Sequence, residues 1–232
     1  MNINATQQEV ISDISVLKMH TKNYKKIAEK KLIYRIIKRT FDVILSLIAF
    51  IVLLPVFVII SLAIKLDSKG PAIFKHTRIG KNGKIIKVYK FRTMVNNAEE
   101  MIKDFTPEQQ KEFKEKYKLT NDPRVTRVGK FLRSTSLDEL PQIVNIIKGD
   151  LSIIGPRSVV LEELQKYGND IEKFISVTPG LTGYWAANGR SNTTYEQRMQ
   201  MELFYIDNRS LKMDIKIFFK TIQSVIMKRG AI

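Results

Sequence analysis

A run of 22 residues without a charged side chain, from Val43 to Ile64, constrains the fold of this chain more than any other feature. Its only polar side chains are the hydroxyls of Ser46 and Ser61. A soluble helix of this length would need a polar face, and this segment has none. The length matches an apolar layer of roughly 30 Å, and the segment starts too far into the chain for a secretory signal peptide. The sequence therefore predicts a helix within a membrane.

Pro55 lies near the middle of this segment, where it removes a backbone hydrogen bond and predicts a kink or break. Both flanks are basic, with Lys38 and Arg39 before the segment and Lys65 and Lys69 after it. Positive charge on both sides favours two ends on the same cytoplasmic face. We therefore expect a re-entrant helix–break–helix with Pro55 at the break, and a bent spanning helix is the alternative.

These features divide the chain into three predicted parts. Residues 1–37 form a polar, basic lead-in, residues 38–69 the re-entrant membrane hairpin, and residues 70–232 a cytosolic globular domain. The basic run Tyr24–Lys31 lies just before the membrane segment, where it either touches anionic lipid or forms a solvated helix.

The globular part contains signals for both strands and helices. The pair Asn82-Gly83, followed by the strand-like segment Ile85–Phe91, is typical of a type I′ β-hairpin. A charged surface helix is expected over residues 99–117, where Thr106 and Gln109 have the spacing of a capping box. The sequence predicts an α+β fold that is mainly helical, with a small β-hairpin.

Helical spacing of apolar residues continues beyond this point, at Leu140, Ile143, Val144 and Ile147. The spacing predicts an amphipathic helix that ends at Gly149. Pro141 is tolerated only in the first turn of a helix, which places Asp138 at or next to the N-cap. Further helices are expected near 159–167, 194–207 and 211–228. The last helix carries a stripe of lysines (Lys212, Lys216 and Lys220), and both core packing and a position in the membrane interface are open for it.

Charge and composition limit the chemistry. The chain has no cysteine, which removes disulfides, thiolate catalysis and cysteine-based metal sites. His20 and His76 are the only histidines, too few for a histidine-based metal site. Lys and Arg number 39 against 23 Asp and Glu, and the net charge of +16 requires an anionic partner: nucleic acid, a phosphorylated metabolite or an anionic membrane.

A group of cations surrounds two adjacent carboxylates, Asp138 and Glu139; it comprises Arg124, Arg127, Lys130, Arg133 and Arg157. One interpretation is structural, because acids at a helix start commonly cap it. The other is chemical: helix terminus and guanidinium groups keep Asp138 ionised beside a bound phosphate, so that it can act as a nucleophile. In that interpretation Glu139 holds Mg²⁺ together with substrate phosphates.

Several ordered motifs make the sequence recognisable: KRTFDVILS, KVYKFRTM, RVTRVGKFLRSTSLDELPQIVNIIKGDLSIIGPR, TPGLTGYWAANGR and DNRSLKMDIKIFFKTI. They extend from about Lys38 to Arg229, and the chain resembles the bacterial sugar transferase family of small monotopic phosphoglycosyl transferases. The resemblance implies transfer of a sugar-1-phosphate from a UDP-sugar donor to a polyprenyl phosphate, usually undecaprenyl phosphate, with release of UMP. It also implies a re-entrant helix–break–helix and amphipathic helices at the membrane interface.

The same resemblance implies roles for individual residues. Asp138 matches the nucleophile that forms a covalent phosphosugar intermediate, and Glu139 matches the Mg²⁺-binding residue. Arg133 and Arg157 match phosphate-contacting positions, to which Lys90 and Arg92 add positive charge.

The sequence departs from the family pattern at two places. Family members often continue the Gly-Pro-Arg motif with proline, where this chain has Ser158. Ala186 and Ala187 replace the usual polar residue after Trp185, which leaves the donor sugar open. The implied location is the cytoplasmic face of the bacterial inner membrane, with lateral packing into a homo-oligomer as a further expectation.

Two other classes of function stay open on the sequence. One is a membrane-anchored scaffold without catalysis, although both Asp138 and Glu139 are retained. The other is a membrane-tethered nucleic-acid-binding protein, for which neither a helix-turn-helix nor an aromatic stacking platform is evident. We therefore expect no nucleic-acid partner.

Overall fold

The computed structural model describes residues 32–116, 119, 121–189 and 193–226. The predicted contact of Tyr24–Lys31 with lipid lies outside these residues. The described chain forms two compact units. The first unit contains the residues up to Ile51, together with Lys75–Val88 and the chain from Gln142 onward. The second unit contains Val52–Phe74 and Tyr89–Pro141. The predicted domain boundaries at 37 and 69 stay a prediction.

The uncharged segment forms part of one long helix, α1 (Leu32–Asp67), of 36 residues. The mean hydropathy of its most apolar 18-residue window is 3.3, and 11% of that window is buried. It is therefore long and apolar enough to cross a membrane, and most of its apolar surface is exposed. Pro55 lies inside this helix rather than between two helices. The re-entrant break is thus not seen, and the topology in a membrane stays a prediction.

The predicted β-hairpin is confirmed. Strands β1 (Ile73–Ile79) and β2 (Ile85–Phe91) pair into a two-stranded sheet. Asn82 and Gly83 both have positive φ angles, 56° and 72°, as a type I′ turn requires. The Gly80 N–H donates to the Lys84 carbonyl oxygen at 2.7 Å and closes the loop.

The second unit continues with short helices. A 3₁₀ turn (Glu100–Asp104) precedes α2 (Pro107–Lys116), and α3 (Arg127–Thr135) precedes a second 3₁₀ turn (Leu137–Glu139). The predicted capping box of α2 is present, because the Gln109 N–H donates to Thr106 Oγ1 and the Thr106 N–H donates to Gln109 Oε1. The core of this unit consists of Ile60, Ile64, Ala72, Phe91 and Leu132.

The first unit holds the remaining elements. They are α4 (Gln142–Lys148), β3 (Ser152–Ile154), α5 (Leu161–Gln165), α6 (Ile171–Ile175), β4 (Gly180–Thr182), α7 (Tyr184–Asn188), α8 (Tyr195–Asn208) and α9 (Leu211–Ile226). Strands β3 and β4 pair in parallel, with Ser152 opposite Gly180 and Ile154 opposite Thr182. This second small sheet was not predicted. Its neighbours in the core include Val159, Leu164, Phe174, Tyr205 and Ile217.

The last helix, α9, has two apolar surfaces. Ile217 is buried in the core, whereas Ile215, Phe219 and Ile222 are 58%, 65% and 41% exposed. Core packing therefore accounts for one surface, and the other is largely exposed. A position of this helix in the membrane interface stays a prediction.

Candidate active site

The two adjacent carboxylates lie in the second unit, on the 3₁₀ turn Leu137–Glu139. The chain reaches this turn through Ser136, which has a positive φ of 58° and ends α3. The prediction that Asp138 lies at or next to the N-cap of a longer helix is wrong, because α4 begins only at Gln142. The two acids therefore lie on the turn that precedes α4.

Lys90, near the end of β2, contacts both carboxylates. Its Nζ lies 2.6 Å from Glu139 Oε1 and 3.8 Å from Asp138 Oδ2. The Asp138 side chain is 14% exposed and that of Glu139 is 32% exposed. The structure thus brings together three of the residues predicted for the site, with the aspartate the more enclosed of the two acids.

Burial raises the pKa of Asp138, and the neighbouring charge of Glu139 adds to this increase. Lys90, Arg133 and the residue's own backbone N–H oppose it without cancelling it. We expected the helix terminus and the arginines to hold this carboxyl in its ionised form. Desolvation outweighs the attraction of the cations, so the pKa of Asp138 lies above its usual value rather than below it.

Arg133 is positioned by α3 and by the segment after β2. Its Nε donates to Thr93 Oγ1 at 2.9 Å. The first turn of α3 is capped by Thr126, whose Oγ1 accepts from the Gly129 N–H at 3.0 Å, and by Asp67, whose Oδ2 accepts from the Val128 N–H at 3.0 Å. These caps fix the start of α3, which positions Arg133 near the end of the helix. The charge of Arg133 opposes the increase in the pKa of Asp138.

Arg92 has a structural position. Its buried guanidinium donates to the backbone carbonyls of Ile64, Ser68 and Lys69, at the end of α1. The Ile64 carbonyl also accepts from the Ser68 N–H at 3.1 Å, and a cation at this end of the helix complements the helix dipole. This contact accounts for the burial of Arg92, and a role in phosphate binding stays a prediction.

Arg124 is also engaged within the protein. It forms a two-pronged ion pair with Asp122, with N···O distances of 2.8 and 2.7 Å, and its guanidinium lies about 5 Å from the Phe105 and Phe113 rings. Arg127 and Lys130 are exposed on α3. Of the cations grouped around the acids in the sequence, the second unit thus places Arg133 where it acts on Asp138.

Arg157 belongs to the first unit, where it follows β3. Its backbone N–H donates to Glu202 Oε1 at 3.1 Å, and its guanidinium lies 6.0 Å from the centre of the Trp185 ring. The side chain is exposed. The backbone is therefore fixed while the charged end remains accessible to solvent.

Glu202, on α8, was not identified from the sequence. It is 1% exposed, and its Oε2 has no hydrogen-bond partner among the described residues. Burial raises its pKa to about 7, although the Arg157 N–H and the charges of Arg198 and Arg157 oppose this. The available signal was an acid inside the apolar run Met201–Ile206, four residues after Arg198.

Arg198 was missed as well. It is buried, stacks on Trp185 and Tyr195 at 5.0 and 5.1 Å, and pairs with Glu163 at 3.2 Å. Glu163 also pairs with Arg78 at 3.1 Å. Burial alone would raise the pKa of Glu163, but Arg198, the Val160 N–H and Arg78 outweigh it and hold that pKa below its usual value.

Asp138 and Glu139 provide the donor set that a magnesium ion would use here. Within the described residues, no group of three or more His, Asp or Glu side chains could hold a metal ion alone. Mg²⁺ commonly takes one or two carboxylates together with substrate phosphates, and this requirement fits the two acids. Lys90 contacts both of them and would have to yield to a metal ion.

Comparison with known proteins identifies the family. The sequence profile described as bacterial sugar transferase matches residues 33–228. The chain belongs to the bacterial sugar transferase family.

Several relatives have assigned names. Undecaprenyl-phosphate galactose phosphotransferase of Salmonella typhimurium is 42% identical over 200 residues, which cover 85% of this chain and 42% of the relative. The exopolysaccharide production protein ExoY of Sinorhizobium fredii is 43% identical over 197 residues, 84% of this chain and 87% of the relative. UDP-glucose:undecaprenyl-phosphate glucose-1-phosphate transferase of Escherichia coli is 40% identical over 206 residues, 85% of this chain and 42% of the relative. The chain thus spans about two fifths of the length of two of these relatives and most of the third.

Proposed function

We propose that this chain is a membrane-associated phosphoglycosyl transferase that moves a sugar-1-phosphate from a UDP-sugar to undecaprenyl phosphate and releases UMP. The observation that carries the proposal is the pair Asp138 and Glu139 held against Lys90, in a chain of this family. The names of the Salmonella and E. coli relatives support the lipid acceptor and the class of reaction.

In the first step, a carboxylate oxygen of Asp138 attacks the β-phosphorus of the donor. A bond forms between that oxygen and phosphorus, and the bond from the phosphorus to the bridging oxygen breaks, so that UMP leaves with the bridging oxygen. The sugar phosphate is then covalently held on Asp138. A largely enclosed carboxylate is weakly solvated, so it loses few contacts with water when it attacks the phosphorus.

In the second step, a phosphate oxygen of the lipid carrier attacks the same phosphorus. The bond to the Asp138 oxygen breaks, the carboxylate is regenerated, and the lipid diphosphate sugar is released. Both steps concentrate negative charge at phosphorus, and Lys90 and Arg133 are the cations whose charges act on Asp138. Arg157, with its accessible guanidinium, is proposed to contact a substrate phosphate.

Glu139, with Asp138 beside it, is proposed to hold Mg²⁺ together with the donor diphosphate. The ion would neutralise part of the diphosphate charge and reduce its repulsion of the attacking carboxylate. Lys90 would then be released from Glu139 and could donate to a phosphate oxygen.

The long apolar helix supports a place at the membrane, since the tail of a polyprenyl phosphate lies in the bilayer. We propose that the chain acts on the cytoplasmic face of the inner membrane and initiates a glycan such as an exopolysaccharide. The name of the Sinorhizobium relative supports the latter.

The test measures UMP release by the purified chain with undecaprenyl phosphate, Mg²⁺ and a panel of UDP-sugars. We expect release with at least one donor and its loss in Asp138→Asn. Asp150→Asn is the matched control, because Asp150 is also paired with a lysine, at 3.3 Å, but lies in the first unit. Substantial UMP release by Asp138→Asn would exclude the nucleophilic role, and an unchanged Mg²⁺ titration in Glu139→Gln would exclude the metal role.

A further inference from the structure

A basic pocket of about 450 Å³ lies in the first unit, at the N-terminal end of α1. Its size is within the range of small-molecule sites. Five cationic side chains line it: Arg35, Lys38 and Arg39 from α1, Lys81 from the hairpin turn, and Arg209 from the segment after α8. The pocket is formed within one unit.

The acids near the pocket do not balance this charge. Asp42 is the one acidic residue that lines it in the described structure, and its carboxylate accepts from Ser152 Oγ at 2.7 Å and from the Ile153 N–H at 3.0 Å. Asp214 pairs with Lys38 at 2.9 Å. Five cations and these two acids leave an excess of three positive charges.

Two of the cations have structural tasks. Arg39 donates to the carbonyls of Ile146 and Ile147 at the end of α4, and Arg209 donates to the Ile206 carbonyl. Arg35 and Lys81 have no ion pair within the described part of the chain. Burial lowers the pKa of Lys81, and the like charges of Arg35 and Arg209 lower it further. An anion in the pocket would relieve this repulsion.

The surroundings of the pocket indicate the kind of anion. Leu32 and Ile36, which also line it, are 57% and 58% exposed aliphatic side chains on the same helix as the cations. That helix continues directly into the uncharged stretch from Val43. Cations at the boundary of an apolar helix, next to exposed aliphatic groups, match a ligand that has a phosphate at one end and a hydrocarbon chain at the other.

We propose that the basic pocket binds the phosphate group of an anionic membrane lipid. The lipid tail would lie along α1, and the pocket would fix the depth of this helix end relative to the headgroups. Binding here requires neither Asp138 nor a sugar donor, and the inference is independent of the proposed transferase activity.

The test is native mass spectrometry of the full chain in a neutral detergent, with phosphatidylglycerol, with phosphatidylcholine and with inorganic phosphate. The Arg35→Gln/Lys81→Gln variant removes the two pocket cations that form no ion pair with the described residues. Lys103→Gln/Lys111→Gln is the control, because both of these lysines are exposed and lie in the second unit. Two charges near a lipid phosphate contribute enough to lower phosphatidylglycerol retention about tenfold or more.

We expect the wild-type chain and the control to retain phosphatidylglycerol over phosphatidylcholine, and the pocket variant to lose this preference. An equal preference in all three proteins would overturn the proposal. Binding of inorganic phosphate as tight as that of phosphatidylglycerol would assign the pocket to a soluble anion and overturn its lipid part. If the double variant shows no thermal transition, Arg35→Gln alone carries the test, because its side chain is exposed.

Discussion

Replacing Lys90 with glutamine tests the electrostatics of the proposed nucleophile. Lys90 Nζ lies 3.8 Å from Asp138 Oδ2, and its charge opposes the increase in pKa that burial causes. Without this cation the carboxylate loses its nearest positive charge, while the repulsion from Glu139 remains. We therefore expect the pKa of Asp138 to rise further in Lys90→Gln.

The distance sets the scale of the effect. At 3.8 Å and an effective dielectric constant of about 20, two opposite charges attract by about 4 kcal/mol. Lys90 is 24% exposed and also pairs with Glu139, so solvent and the second carboxylate reduce this value. We therefore expect the pKa of Asp138 to rise in Lys90→Gln by less than the full attraction would give.

The assay follows formation of the covalent adduct with the UDP-sugar donor alone, by intact-protein mass spectrometry across a range of pH. The lipid acceptor is left out because a phosphate monoester itself titrates near pH 6 and would obscure the protein group. The adduct forms only from ionised Asp138, so its rate should rise with pH through the pKa of this residue. In Lys90→Gln the rising limb should move to higher pH.

Lys87→Gln is the control, since Lys87 is an exposed residue on the same strand and its Nζ donates to Thr77 Oγ1 at 2.6 Å. Loss of positive charge alone would lower the rate at every pH in both variants without moving the limb. If the rate of adduct formation in Lys90→Gln rises over the same pH range as in the wild type, the electrostatic reasoning is refuted.

Three further changes test other parts of the structure. Glu202→Gln should increase the free energy of unfolding at pH 8 by up to about 3 kcal/mol. The pKa of Glu202 is about 7 in the folded protein and 4.5 in the unfolded chain. The free energy of unfolding of the wild type therefore falls as the pH rises between these two values, and it is level above them. Thermal melts at pH 5 and pH 8 measure this, and equal pH dependence in both proteins would contradict it. Gly129→Ala should destabilise the second unit by about 2 kcal/mol or more, because a Cβ would lie 2.7 Å from the Thr93 carbonyl carbon. A melting temperature equal to that of the wild type would exclude this contact. Pro55→Ala should turn the predicted re-entrant segment into a spanning helix, measured by the accessibility of single cysteines introduced on each flank of this cysteine-free chain; an unaltered pattern would reject a break at Pro55.

Local signals in the sequence predicted the elements that depend on local rules. The positive φ angles at Asn82 and Gly83 and the capping box at Thr106 follow from the preferences of a few neighbouring side chains. The pairing of the parallel strands β3 and β4 could not be found in this way. Each has three residues, and their pairing joins segments far apart in the chain.

The sequence predicted which residues form the candidate site better than it predicted the electrostatic balance between them. The neighbouring positions of Asp138 and Glu139 are fixed by the chain itself, but the approach of Lys90 from β2 and the balance between burial and charge are properties of the folded second unit. A count of charges likewise gave no indication that Arg92 and Arg124 are committed to internal contacts. Part of the positive charge that predicted an anionic partner therefore stabilises the fold instead.

The contacts at the C-terminal end of α1 can form only after later parts of the chain have been synthesised. The Asp67 carboxylate accepts from the Val128 N–H, which is 61 residues later in the sequence. The Ser68 carbonyl accepts from Arg92, which is 24 residues later. At roughly 5–20 residues per second, the ribosome needs about 3–12 seconds to synthesise the first of these intervals. During that time the apolar helix is outside the ribosome, or entering its exit tunnel, without the contacts that secure its C-terminal end. Helix α1 is thus synthesised in full before the second unit can fold.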